Sequence, residues 1–264
     1  MSQPIFFRSR HRHFLILSLA LLLSHNVQAN TLLQNMNFEG WYLGSMLGYG
    51  MPSISAGNTT VTPESSLVPS DNAHTHKIDA AANLSLMGGA QFTINHKNST
   101  AWFNHYRLGL HYQYQMAEKL TGHGNWNNSP DIYNYTYNVQ TQMLLIEGAL
   151  ALYDSRVLEP YLHLGVGMAN TTANSYNETS TGYIPGLESH AFSNQTTSGF
   201  VGVIGLGVEY NLQKHWRALL SYDYFTPIQA NLGSGKTLAT GITPAGLKTS
   251  IINQAINMGM RYQF

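Results

Sequence analysis

Cysteine is absent from the 264 residues, so the chain has no disulfide framework and no cysteine for N-terminal lipidation. Charge is scarce as well. The 13 Lys+Arg and 13 Asp+Glu make up 10% of the chain, whereas charged residues are about a quarter of an ordinary soluble domain. No excess of basic residues exists to hold a phosphate backbone, which argues against nucleic-acid binding. After residue 29 no segment approaches the length of a membrane-spanning helix, and the mean hydropathy of −0.17 is too low for a helical bundle. Asn, Gln, Ser, Thr, Gly and Tyr stand in place of the missing charge. With 11% aromatic residues the chain is too aromatic for a disordered one. The composition suits a β-rich protein whose apolar residues are spread thinly.

The first 29 residues read as a secretory signal peptide. Arg8, Arg10 and Arg12 form a basic start, Phe14–Leu23 is an apolar core of ten residues, and Val27-Gln28-Ala29 is a small-x-small cleavage site. Ten apolar residues are too few for a transmembrane anchor, which needs about 20. Cleavage near Ala29 removes three arginines and no acids, leaving 10 basic against 13 acidic residues and a net charge of −3. The expected organisation is a signal peptide over 1–29, a periplasmic lead over 30–39 and a barrel over 40–264.

A membrane-spanning β-strand needs only about 9–11 residues and hides its hydrophobicity in alternation. Eight such segments are predicted: Gly40–Met51, Ala82–Asn95, Ala101–Gln115, Val139–Tyr153, Glu159–Thr171, Thr197–Leu212, Trp216–Gln229 and Ser250–Phe264. In the third, Tyr106, Leu108, Leu110, Tyr112 and Tyr114 share one face, and Arg107, Gly109, His111 and Gln113 the other. The sixth sets Phe200, Ile204, Leu206 and Tyr210 against Val201, Gly205, Gly207 and Glu209. The eighth sets Ile256, Met258, Met260, Tyr262 and Phe264 against Asn257, Gly259, Arg261 and Gln263. Prolines fall in connections or near strand ends, as Pro160 and Pro227 do, because proline removes a ladder donor.

Connection lengths alternate. Pro52–Ala81, Met116–Asn138, Thr172–Thr196 and Ala230–Thr249 are long; His96–Thr100, Asp154–Leu158 and Gln213–His215 are short. Long loops on one rim and tight turns on the other describe an outer-membrane barrel, with loops outside and both termini in the periplasm. A lipocalin-like barrel has the same alternation with the faces reversed. Three features favour the membrane form. Aromatics collect at strand ends, as interface residues do: Trp41, Tyr49, Trp102, Tyr112, Tyr153, Tyr210, Trp216, Tyr222 and Tyr262. The polar face is rich in Gly and poor in Lys. The chain ends on an aromatic in an amphipathic strand.

The stretch GWYLGSMLGYG resembles the opening strand of the OmpA-like/opacity-type family of eight-stranded outer-membrane β-barrels. The last strand, with Tyr262 and Phe264, is similar to the signal through which the barrel-assembly machinery recognises such proteins. The resemblance implies an all-β, eight-stranded antiparallel up-and-down transmembrane barrel in a Gram-negative outer membrane; a peptidoglycan-binding domain of the OmpA type is not expected to follow, since the chain stops at the last strand. It implies outer-membrane lipid and lipopolysaccharide as surroundings, and no cofactor.

An eight-stranded lumen is just wide enough for side chains. Arg107, Glu147, Glu209, Arg217, Asp223 and Arg261 are expected inside as an ion-paired plug, because buried charge without a partner costs several kcal/mol. Arg107 is expected to pair with Glu147 at mid-barrel, and Glu209, Arg217 and Arg261 to group near the periplasm. The competing reading is a gate in a narrow ion path. His111 and His163 also face inward as hydrogen-bonding core groups. The long connections, rich in Tyr, Asn and Thr, are read as irregular loops forming an adaptable surface for host or matrix ligands, or a hydrophilic coat. His74-Thr75-His76, with Asp71 and Asp79 nearby, is read as a solvated loop rather than a metal site, since structural zinc takes four ligands. A third reading is a lipid A-modifying hydrolase using His190, Ser193 and Glu188. The odd spacing of His190 and Ser193 weighs against it, since they would lie on opposite faces of a strand. No enzyme is expected.

Overall fold

The computed structural model describes residues 36–56, 58–61, 71–94, 105–126, 133–152, 157–180, 190–237 and 246–264. The signal peptide, Trp102, Tyr153 and Glu188 lie outside them. Fifteen strands follow in order: β1 Met36–Gly50, β2 Ser53–Ala56, β3 Asn58–Val61, β4 Asp71–Ile78, β5 Ala81–Ile94, β6 His105–Trp126, β7 Tyr133–Ala151, β8 Leu158–Ser180, β9 His190–Ser193, β10 Gln195–Asn211, β11 Trp216–Phe225, β12 Ile228–Asn231, β13 Gly233–Thr237, β14 Lys248–Ile252 and β15 Gln254–Gln263. No helix among the described residues is long and apolar enough to cross a membrane.

Eight of these strands close a ring, in the order β6-β5-β1-β15-β11-β10-β8-β7 and back to β6, with every ladder antiparallel. Each of the eight predicted segments supplies one member. β1 starts at Met36, so the last residues assigned to the lead are already strand. Closure depends on close approach. Gly40 has φ 157°, and a Cβ there would sit 2.6 Å from the Phe264 carbonyl oxygen. The Phe264 amide donates to the Trp41 carbonyl at 2.9 Å, stitching the last residue to the first strand.

Side-chain polarity decides between the two kinds of barrel. Leu43, Leu47, Leu108, Leu110, Leu144, Ile146, Leu164, Val166, Leu206 and Met258 are exposed on the outside. Arg107, His111, Gln113, His163, Glu209, Asp223, Asn257 and Arg261 are buried within. This polarity fits a barrel in lipid and contradicts one in water. At the periplasmic border an aromatic belt crosses strands: Phe38 lies 5.6 Å from Trp41 and 5.9 Å from Phe92, and Tyr262 lies 5.0 Å from both Trp216 and Phe264. Tyr49, Tyr112, Tyr222 and Tyr224 stand at the opposite border, where outward residues turn polar at Gln142, Asn170 and Ser198.

Over their described residues the long connections are largely strand rather than irregular loop. They carry the barrel wall onward as a β-crown beyond the apolar band. β4 leads into β5 through Asp79-Ala80 and pairs with the upper part of β6. Tyr133–Val139 of β7 pairs with Glu118–Gly124 of β6, inside what reads as a loop. β8 continues to Ser180 against β7. Above β1, β11 and β15, the strands β2, β12 and β14 form a separate three-stranded sheet, and β9 pairs with β13. The predicted seventh and eighth strands are each broken. β11 ends at Phe225 because Pro227 has no amide to donate, and β14 is separated from β15 at Asn253, which accepts the Phe225 amide at 2.9 Å.

The crown holds together through an apolar interior that continues downward into the upper lumen, where Met143, Leu145, Val203 and Phe225 belong to the same cluster. Leu120, Tyr133, Tyr135, Tyr137, Val139, Ile228, Leu232, Leu247 and Ile251 belong to one buried cluster. The sequence Tyr133-Asn134-Tyr135-Thr136-Tyr137 alternates Tyr inward with Asn and Thr outward, as a strand with one wet face requires.

Candidate functional site

The lumen is built in tiers from alternate residues of the wall. The lowest tier gathers Arg107 of β6, Glu159 of β8, Glu209 of β10, Arg217 of β11 and Arg261 of β15. Glu209, fully buried, accepts from all three arginines: from Arg107 by a short contact, from Arg261 at 2.6 Å and from Arg217 at 3.3 Å. Arg217 also donates to Glu159 at 2.6 Å, and Arg261 to the Gln91 side-chain oxygen at 2.8 Å. Two guanidiniums lie over aromatic faces, Arg107 over Tyr161 at 4.8 Å and Arg261 over Tyr42 at 5.3 Å.

The expected pairing of Arg107 with Glu147 does not form. Arg107 reaches across the lumen to Glu209, and Glu147 is held by two histidines in the next tier. His111 Nδ1 is 2.7 Å from Glu147 Oε2, and His163 Nδ1 is 3.2 Å from Glu147 Oε1. The other nitrogen of His163 is 2.9 Å from Asp223 Oδ1, and the Asn257 amide donates to Asp223 Oδ2 at 2.5 Å. In these two tiers three guanidiniums and the His111 and His163 rings stand among four carboxylates, each carboxylate contacting at least one of them. Such pairing is what a low-dielectric lumen demands.

Glu159 was missed as a lumen residue because it opens its strand beside Pro160. The alternation Glu159, Tyr161, His163 carries the signal that finds it.

Above these tiers, Gln115 accepts from Asn253 and donates to Glu118. Glu118 lies beyond the apolar band, where burial pushes its carboxyl up to about 8 despite the Gln115 hydrogen bond. The tyrosines of the crown cap the column. Tyr135 shares a hydrogen bond of 2.7 Å with Thr75, and Tyr137 one of 2.7 Å with Thr249. Burial pushes the Tyr137 phenol up to about 12. The cavity between Arg107, Glu147, Tyr161, His163 and Glu209 measures about 20 Å³, room for one water. A larger cleft of about 230 Å³ lies in the wall where β10 and β12 part, lined by Ala169, Thr197, Phe200, Pro227 and Ile228 among others.

His190 and Ser193 both fall on the extended strand β9, where a step of three residues reverses the face. The segment holding His74 and His76 is strand β4, not a solvated loop.

Residues 15–264 match the outer membrane protein beta-barrel domain family. The chain belongs to this family. Membership in the outer membrane protein beta-barrel domain family, with the closed ring and its lipid-compatible exterior, places the protein in a Gram-negative outer membrane. Solved structures similar to it include the outer membrane protein OprG from Pseudomonas aeruginosa, at 14% identity and TM-score 0.49, covering 86% of this chain and 97% of that one. Neisserial surface protein A is similar at 12% identity and TM-score 0.38, covering 86% and 99%. Ail of Yersinia pestis, solved with the heparin analogue sucrose octasulfate, is similar at 11% identity and TM-score 0.37, covering 86% and 100%. No protein with a curated description matches the chain.

Proposed function

We propose that the protein is a non-enzymatic, surface-exposed barrel that presents a rigid β-crown to ligands outside the cell, with a lumen that serves as a structural plug. The observation that carries this reading is the crown itself: a wall packed on a buried apolar cluster continuous with the upper lumen, with a polar outer face. Rigid strands hold their exposed groups in place, so less ordering entropy is lost on binding than with mobile loops. The outward residues Asn134, Thr136, Asn138 and Gln140 of β7 and Asn170 and Thr172 of β8 offer amide and hydroxyl groups suited to sugars or extended peptides.

A narrow ion path is the weaker reading, since the charged tiers are mutually paired and the cavity between Arg107, Glu147 and Glu209 is only about 20 Å³. A lipid A hydrolase is weaker still, because the spacing of His190 and Ser193 does not suit a dyad. Removal of the leader near Ala29, insertion through the C-terminal strand bearing Tyr262 and Phe264, and a lipopolysaccharide surround complete the proposal.

The test is adhesion. Bacteria displaying the protein should bind lipopolysaccharide-coated, matrix-coated or epithelial surfaces better than cells lacking it. Replacing Asn134, Asn138, Gln140, Asn170 and Thr172 together by alanine should lower binding at least several-fold while heat-modifiable mobility stays intact. Equal binding by the fivefold variant, or none by the native protein, contradicts the reading.

A further inference from the structure

Three histidines meet on the outer face of the crown, apart from the lumen and its charges. His74 and His76 are two residues apart on β4 and so share a face. The register sets His123 of β6 directly opposite His74. His76 is the extra residue between the pairs Thr75–Gly122 and Lys77–Thr121, a bulge of the kind that re-aims a side chain. The ring centroid of His123 lies 5.6 Å from that of His74 and 5.1 Å from that of His76.

These spacings have a chemical meaning. A zinc–nitrogen bond of about 2.0–2.1 Å puts an imidazole centroid about 3.2 Å from the ion, so two rings at a tetrahedral angle stand about 5.2 Å apart. His123 keeps close to that distance from both neighbours. His76 is exposed, and His74 and His123 are half-buried, so all three open to the outside medium. Lys77, next to His76 in the chain, is ion-paired with Asp79 at 3.0 Å, which softens its repulsion of a metal. Asn134 of β7, exposed, stands across from His123 on the other side. Among the described residues no three such ligands already converge on one point. The rings stand side by side, with interplanar angles of 39° and 33°.

We propose that His74, His76 and His123 form a three-imidazole site for a divalent transition-metal ion, with zinc as its representative. The fourth position is open to water or to the Asn134 side-chain oxygen. Imidazole suits zinc, copper and nickel, whereas magnesium and calcium favour oxygen ligands, so the site selects the first group. The pair His74 and His76 alone falls short of a site; β6 supplies the third ligand from 47 residues further along the chain than His76. A bound ion also ties β4 to β6 and stiffens that wing of the crown.

The experiment is calorimetric titration of the full protein, purified in detergent without a histidine tag, with Zn²⁺ and separately with Mg²⁺. The expected result is one Zn²⁺ site that is lost in His123→Ala and at least tenfold weaker in His74→Ala and in His76→Ala. Mg²⁺ should not occupy it. Electron paramagnetic resonance of bound Cu²⁺ should show imidazole nitrogen coupling that His123→Ala removes. Heat-modifiable mobility identifies any variant that fails to fold, and His123→Gln then takes the place of His123→Ala. Zinc binding of unchanged affinity and number in the folded His123 variant, or a native protein that binds no zinc, overturns the proposal.

Discussion

Replacing Glu209 by alanine is expected to cost the barrel roughly 3–5 kcal/mol, the range for breaking a buried ion pair from one side. One carboxylate here answers three guanidiniums. Without it Arg107 loses its hydrogen-bonded acid, and Arg261 keeps the neutral Gln91. Only Arg217 retains a carboxylate partner, Glu159. Arg107 and Arg261 are buried and cannot reach water without leaving the lumen, whereas Arg217 is partly exposed. Glu209→Gln keeps the shape and one acceptor oxygen, so its cost should be smaller. Removing the acid of an exposed pair such as Lys77–Asp79 should cost about 1 kcal/mol or less. Denaturant unfolding in lipid vesicles, followed by tryptophan fluorescence and by the gel shift of unboiled samples, gives the ranking. A Glu209→Ala midpoint no lower than that of Asp79→Ala would show that the lumen charges are not what holds the wall together.

Tyr135→Ala should unfold the outer-leaflet side of the molecule and leave the membrane part standing. The ring is buried between Tyr137, at 6.2 Å, and Tyr176, at 5.8 Å, and its hydroxyl reaches Thr75 on β4. It also lies against Gly122 of β6, where a Cβ would meet a Tyr135 ring atom at 2.2 Å. One side chain of β7 thus spans β6 to reach β4. Truncating a buried aromatic costs about 3–5 kcal/mol, and that loss falls on a region able to open separately from the ring of eight strands. Limited proteolysis should therefore cut the crown of Tyr135→Ala at least tenfold faster than that of the native protein, with the gel shift preserved. Asn134→Ala, one residue away and facing solvent, should stay within about 0.5 kcal/mol of the native protein. Equal protection of Tyr135→Ala and native protein would mean that the crown is not held by this cluster.

The legible and illegible parts of this chain divide by physical cause. The ring was readable because alternation with period two is imposed at each residue: Leu108 outward and Arg107 inward follow from the strand alone. The aromatic ends and proline positions followed for the same local reason. The crown was misread because Tyr, Asn and Thr suggest loops by composition, yet Tyr133 to Tyr137 alternates as strictly as any membrane strand. The low group of Glu209, Arg217 and Arg261 forms as expected, but the partner of Arg107 was misassigned because it depends on distance across the barrel. Arg107 and Glu209 lie 102 residues apart and on strands that are not neighbours. Height along the wall suggested Glu147 as the partner of Arg107, but Glu147 falls between His111 and His163 instead. The histidine cluster needed the register of β4 on β6, which two histidines in sequence do not reveal.

The central claim is that the lumen is a closed polar plug and that the outward role belongs to the crown. Planar-bilayer recording of the purified native protein tests it most directly. With its charges paired and room for one water between them, the protein is expected to insert and stay electrically silent, while Glu209→Ala, where it folds, shows added leak. Reproducible unitary conductance from the native protein would contradict the claim and return the lumen to the role of an ion path.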